Sequence, residues 1–271
     1  MFPLTCTYIA HVGARASCYD QHVKRVLGMV VVLLASTAHA DSPHARKHAR
    51  TATSTSSHIV APSDADRTPA VRYGQLSQGD CETELAARHI AFVRESARGV
   101  RAPVRLLGPL HGVTFRADVS ESSRESTPYE IGDCRLVLAL DDFSQILAAH
   151  DIVEVHHYSM YRPPPKSWPD DKEAIQHAGA LALDAASFIK KDGSKLVVLK
   201  DFHGHIGAAP TCGDKAKADK VTPESTEIRA ILCTAVDQRL FNVVLTPNYN
   251  KPHRNHFHLE VTAGVKWFLV H

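Results

Sequence analysis

Between Asp41 and about Ala70 the chain is built from Ser, Thr, His, Ala and Arg, with almost no large apolar residue. Such a segment cannot bury enough surface to offset the entropy of ordering it, so residues 41–70 are expected to form a disordered linker. Any core must therefore come from residues 71–271. That is roughly two hundred residues, enough for one domain with a real interior.

Upstream, Lys24-Arg25 precedes an apolar run from Val26 to Leu34, and Ala38-His39-Ala40 follows it. A charged flank, a short apolar stretch and an A-x-A cut make a secretory signal peptide, read here as residues 1–40. The run is too short to span a bilayer, so no stable membrane insertion is expected after cleavage. The residues before about Val23 are odd for a signal, and the true start is expected downstream of Met1. Cys6 and Cys18 would then be absent from the mature chain, which starts near Asp41 in a periplasmic or secreted location. The Arg46-Lys47-His48-Ala49-Arg50 cluster reads as a solvated tail able to touch an anionic envelope polymer. A formal net charge of +2 gives no nucleic-acid footprint. A monomer is expected.

Four cysteines remain: Cys81, Cys134, Cys212 and Cys233. An even number in an exported chain suggests two disulfides. Three pairings are possible. Cys81–Cys134 with Cys212–Cys233 is favoured because each joins neighbouring segments. A thiolate metal site is the rival, but no C-x-x-C pair is present.

The expected fold class is α+β, a small antiparallel sheet with flanking helices. Helices are expected over 81–96, over 135–149 with Leu136, Leu140, Phe143 and Leu147 on one stripe, and over 225–241. Strands are expected over 112–117, 152–161, 180–188, 195–199, 242–245 and 256–261. A hairpin turn at Lys191-Asp192-Gly193 joins two of them. Pro163-Pro164-Pro165 opens a loop. There is no internal repeat, which excludes a repetitive structural rod.

His256-Phe257-His258 lies in the last of these strands. Side-chain alternation puts both imidazoles on one face and Phe257 and Leu259 on the other. Two imidazoles on a rigid strand are half of a transition-metal site. With eighteen histidines in the chain, pairs also arise by chance, as at His156-His157 and His203-Gly204-His205. His177 and Asp184 offer the other half. Asp184 sits amid Leu and Ala, where a carboxylate is costly unless it is paired or bound to metal. Its rival role is a salt bridge to Arg162 or Lys190. His177, Asp184 and one late histidine make a two-His, one-carboxylate set that leaves an open fourth position.

His177-x6-Asp184 with His256-x-His258 is similar to the signature of zinc D,D-carboxypeptidases and murein endopeptidases. More narrowly, the chain resembles the bacterial extensin-like C-terminal domain family over about residues 78–262. The likeness is carried by Cys134 before a helix, Tyr158 to Arg162 at a strand end, the His-x6-Asp motif and a hairpin with Ser187-Phe188 and Asp192-Gly193. It continues through Leu232-Cys233 and the run from Val244 to His258. The chain departs from that pattern at Tyr161, Ile175, Ala180 and Asn255. Asn255 stands where an acidic residue is often found, which bears on catalysis more than on metal binding. The resemblance implies a zinc D,D-peptidase-like fold and a Zn2+ cofactor held by His177, Asp184 and His258. It implies catalytic roles for His256, beside the bound water or developing oxyanion, and for Arg162, whose fork suits a substrate carboxylate or carbonyl. The implied activity is an exported zinc-dependent hydrolase of peptidoglycan stem peptides. The alternative is a non-catalytic zinc- or wall-binding module on the same fold.

Overall fold

The computed structural model describes residues 62–271. The expected signal peptide and residues 41–61 of the expected linker lie outside the described residues. Order begins before residue 70, which corrects the end of that linker. A 3-10 turn at Ala65–Arg67 leads into helix α1, Pro69–Gly74, with Ala70, Val71 and Tyr73 buried. Pro69 suits the first helical position. The contacts that hold this start are distant in sequence. Ala70 N–H bonds the Arg239 carbonyl at 3.2 Å, and the Tyr73 hydroxyl bonds Asp142. A polar composition conceals both.

Helix α2, Gln78–Ala87, starts at Ser77, whose hydroxyl accepts from Asp80 N–H. It ends nine residues short of the expected Ser96. His89 adopts φ 58°, its N–H bonds the Ala86 carbonyl, and Ile90 N–H bonds the Leu85 carbonyl. This is a Schellman stop with histidine where glycine is usual. The chain then enters strand β1, Phe92–Arg94. Strands β2, Pro103–Leu106, β3, Thr114–Ala117, and β4, Gly132–Asp133, follow. Helix α3, Cys134–Ala149, is capped by the Asp133 carboxylate and stopped by Asp151 at φ 58°. Next come β5, Ile152–His157, β6, Ala182–Lys190, β7, Lys195–Val197, and the short helix α4, Val198–Asp201. The turn between β6 and β7 uses Gly193 at φ 85°, as its sequence suggests. Helix α5, Pro223–Asp237, opens with a Thr222/Ser225 capping box. Strands β8, Val243–Leu245, β9, Phe257–Glu260, and β10, Leu269–Val270, complete the chain.

The fold is α+β. Its main sheet runs β10-β8-β9-β6-β5-β3, with β7 pairing the far half of β6. It is larger than the small antiparallel sheet expected. The centre is antiparallel, but the edge pairs β3/β5 and β8/β10 are parallel. A second, three-stranded antiparallel sheet, β1-β2-β4, was not foreseen. Its strands are too short, and too interrupted by Arg and Pro, to show a two-residue period. Helix α3 is the spine of the core. Leu136, Leu138, Leu140, Phe143 and Leu147 are fully buried, and α3 touches α1, α2, α5 and β5.

Cys81 pairs with Cys134 and Cys212 with Cys233. The first bond ties α2 to the start of α3, and the second ties the 202–222 loop to α5. Each is expected to contribute roughly 2–4 kcal/mol. Thiol titration of unfolded, unreduced exported protein is expected to find almost no free thiol; four would refute the pairing. Among the described residues, no helix is long and apolar enough to cross a membrane.

Candidate metal centre

Asp184 in β6 and His258 in β9 are direct partners across an antiparallel pair. The adjacent Leu183–Leu259 pair turns into the core, fully buried. Alternation therefore aims the carboxylate and the imidazole at the other face together. The 3-10 turn Gln176–Gly179 delivers His177 to the same place. That turn needs glycine at 179, where a Cβ would lie 2.3 Å from the Ala174 carbonyl oxygen. Ala180 closes the turn at φ 53°, a left-handed position that costs a residue with a Cβ roughly 1–2 kcal/mol.

His177, Asp184 and His258 are all buried and offer three converging atoms. His177 Nε2 lies 3.0 Å from Asp184 Oδ1 and 3.3 Å from His258 Nδ1, which is itself 3.1 Å from Asp184 Oδ1. A tetrahedral ion with bonds of about 2.0–2.1 Å keeps its ligand atoms about 3.3 Å apart. The triangle matches one face of that tetrahedron and leaves a corner open.

The remaining ring nitrogens fix how each imidazole presents itself. His177 Nδ1 lies 3.1 Å from the Met160 carbonyl oxygen, which can only accept. His177 therefore carries its proton there and turns a lone pair to the centre. His258 Nε2 lies 3.1 Å from Glu260 Oε2, so once the ring gives up its second proton the lone pair falls on Nδ1. Such outer acceptors orient metal-binding histidines and raise their basicity. Glu260 is in turn held by the Thr262 hydroxyl at 2.9 Å.

Without an ion the cluster shares protons. Burial works against charge on Asp184, but the surrounding His177, His256 and His258 outweigh it and hold the carboxyl far below its usual range. Burial pushes His177 down, against the pull of Asp184. Burial opposes charge on His258 too, yet Asp184 and Glu260 lift it to about 9.

The other sequence candidates fall beside this triangle. His256 Nε2 is 3.3 Å from Asp184 Oδ1, and the residue is buried. Arg162 donates to Asp184 Oδ2 at 3.2 Å, so the salt bridge weighed as a rival role for Asp184 exists alongside the cluster. The Arg162 side chain stays 55% exposed, which leaves donors free for another group. His253 stacks near His256 and His258, with ring centres 5.1 and 5.7 Å away. His205 pairs with Asp219 and His156 with Glu154, both outside the cluster. Sequence reading missed two participants. The Met160 carbonyl belongs to the backbone and leaves no residue-type signal, while Tyr158 was noted without a role.

These features define an α+β domain with a buried His–Asp–His cluster bridging two central strands. The chain belongs to the extensin-like C-terminal family: the family described as "Extensin-like protein C-terminus" matches residues 80–269. Comparison with curated proteins and with solved structures returned no match.

Proposed function

We propose that this protein is an exported zinc-dependent hydrolase acting on amide bonds in peptidoglycan stem peptides. The observation that carries this reading is the His177–Asp184–His258 triangle, sized for a tetrahedral ion, with both imidazoles oriented by outer acceptors. The likeness of these motifs to zinc D,D-peptidases supplies the substrate class. Zinc, when bound, supplies Lewis acidity to an amide carbonyl and to water. His256 is the base: Nε2 faces the cluster and takes a proton from the attacking water. Arg162 presents its exposed guanidinium to a carboxylate or carbonyl of the peptide. The two disulfides support an oxidising location, periplasmic or secreted.

One feature favours a second reading, a zinc- or wall-binding module. Asn255 stands where the resemblance puts an acidic residue, and an amide takes no proton from water. Metal analysis of purified protein, combined with peptide release from murein sacculi, tests both. Stoichiometric zinc with release is expected. Zinc without release, with activity gained by Asn255→Asp, identifies the binding module; no zinc sinks the hydrolase and the zinc-binding module alike. In an active protein, His256→Ala is expected to keep its zinc yet lose at least about a hundredfold in rate, the usual weight of a general base. Equal loss of zinc and rate would make His256 a ligand instead.

A further inference from the structure

The two disulfides differ in how the fold holds them. Cys81 and Cys134 are 0% exposed where α2 meets the start of α3. Cys212 and Cys233 are partly exposed, one in the loop between α4 and α5 and the other in α5 itself. That loop has no helix or strand of its own. Its two ends are fixed without the disulfide. At the start, Arg229 donates to the Phe202 and His203 carbonyls at 3.0 and 3.2 Å. At the end, Thr222 and Ser225 form the capping box of α5. The middle is tied covalently at Cys212.

Beside Cys212 the loop meets the connector between β8 and β9. Asn248 is buried in that contact. Its Nδ2 donates to the Ala209 carbonyl at 3.2 Å and to Thr211 Oγ1 at 3.3 Å, and its backbone carbonyl accepts from Gly207 N–H at 3.2 Å. Thr211 Oγ1 also lies 3.2 Å from Thr246 Oγ1, and both threonines are buried. A Cβ at 204 would lie 2.1 Å from Asn248 Oδ1, so the loop backbone closes over this residue where only glycine fits. From Asn248 the connector runs on to the metal centre. Tyr249 packs against the His253 ring, Asn250 Oδ1 accepts from His253 N–H at 3.3 Å, and His256 and His258 follow.

We propose that Cys212–Cys233 is a thiol–disulfide exchange site, and that its reduction by a dithiol loosens the β8–β9 connector and weakens the metal centre. One thiolate of the dithiol attacks a sulfur of the pair, forms a mixed disulfide and expels the other cysteine as thiolate. The second thiol of the reductant then displaces its partner's sulfur. The reductant ends as a disulfide and Cys212 and Cys233 as two thiols, with two electrons and two protons transferred. Attack needs access to a sulfur, which the partly exposed pair offers and the fully buried pair does not. Freed at its middle, the loop keeps both ends but can withdraw Ala209 and Thr211 from Asn248. The buried amide then loses its acceptors, and the connector must rearrange to satisfy it. The consequence for zinc rests on the His177–Asp184–His258 reading; the selective reduction and the loosening do not.

The test treats the folded, exported protein with increasing dithiothreitol, blocks thiols with iodoacetamide and maps the labels by mass spectrometry. Cys212 and Cys233 are expected to be labelled at reductant levels that leave Cys81 and Cys134 unlabelled. After this reduction, backbone amides over 248–256 are expected to exchange with solvent at least about tenfold faster, the weight of one buried hydrogen bond. Zinc affinity is read by chelator competition in Cys212→Ala combined with Cys233→Ala, which adds no thiol that could bind metal. It is expected to fall roughly tenfold for the same reason. Thr211→Val, with both disulfides intact, is expected to lower zinc affinity in the same direction, and it carries the measurement if the double variant does not fold. Reduction of both disulfides together, unchanged exchange over 248–256, or zinc bound as tightly by the variants as by wild type overturns the proposal. If wild type binds no zinc, the metal reading fails by itself, and labelling and exchange still decide this one. Absent peptide release with these shifts intact sinks only the hydrolase.

Discussion

Alanine at His177, Asp184 or His258 is expected to abolish stoichiometric zinc in the purified protein. Each change removes one corner of a triangle whose edges are 3.0, 3.1 and 3.3 Å. Two protein donors cannot hold the ion against a chelator that the complete set withstands. His203→Ala and His205→Ala are the controls, because His205 is committed to Asp219 and lies on an exposed loop. If those variants lose zinc and the first three keep it, the centre has been assigned to the wrong histidines. The same cluster fixes the pH dependence. In the metal-free protein His258 holds its proton up to about 9, because Asp184 and Glu260 overcome the penalty of burial. That proton must leave before Nδ1 can bind an ion. Apparent zinc affinity is therefore expected to rise about tenfold per pH unit up to about pH 9, and then to level off. A flat profile from neutrality to pH 9 would show that His258 is no ligand.

How much of this centre a sequence can reveal depends on which interactions leave a residue-level trace. The alternation that puts His256 and His258 on one face is local, and so is the cost of a carboxylate amid Leu181, Leu183 and Ala182. The register that sets Asp184 opposite His258 is not local. Nothing within either strand specifies it, and only the likeness of the whole motif set to the extensin-like family suggested the pairing. The outer acceptors divide the same way. Glu260 shares the face of His258 and could be inferred, whereas the Met160 carbonyl that orients His177 could not. Helix ends were misjudged for a related reason. His89, Asp151 and Arg239 take the left-handed position after α2, α3 and α5, at φ 58°, 58° and 53°. With no glycine to mark the stop, the apolar period runs on past the true end, as in the expected helices over 81–96 and 225–241.

His157 gives the largest stability effect expected outside the metal centre. It ends β5, is fully buried, and has no partner at either ring nitrogen among the described residues. Burial pushes its pKa down to about 3; Asp184 pulls the other way, while His156 and His177 add repulsion. The unfolded chain takes up this proton near 6.5, so between pH 6.5 and about 3 the unfolded state binds more protons than the folded one. The group's contribution is complete above 6.5 and is lost as the pH falls below it. A gap of this size corresponds to about 5 kcal/mol at the acid end, comparable with the whole stability of many domains. Asp184 acts in a separate window. Its lowered pKa costs stability only as the pH falls below the ordinary aspartate value near 3.8. Denaturant unfolding of the wild type and of His157→Phe, both metal-free, isolates the histidine. The change in packing is independent of pH and cancels in the slope. Relative to the variant, the wild type is expected to lose about 1.4 kcal/mol per pH unit below about 6. Parallel profiles between pH 6.5 and 4 would mean that the folded protein accommodates the protonated ring, and that its buried nitrogens find partners when charged.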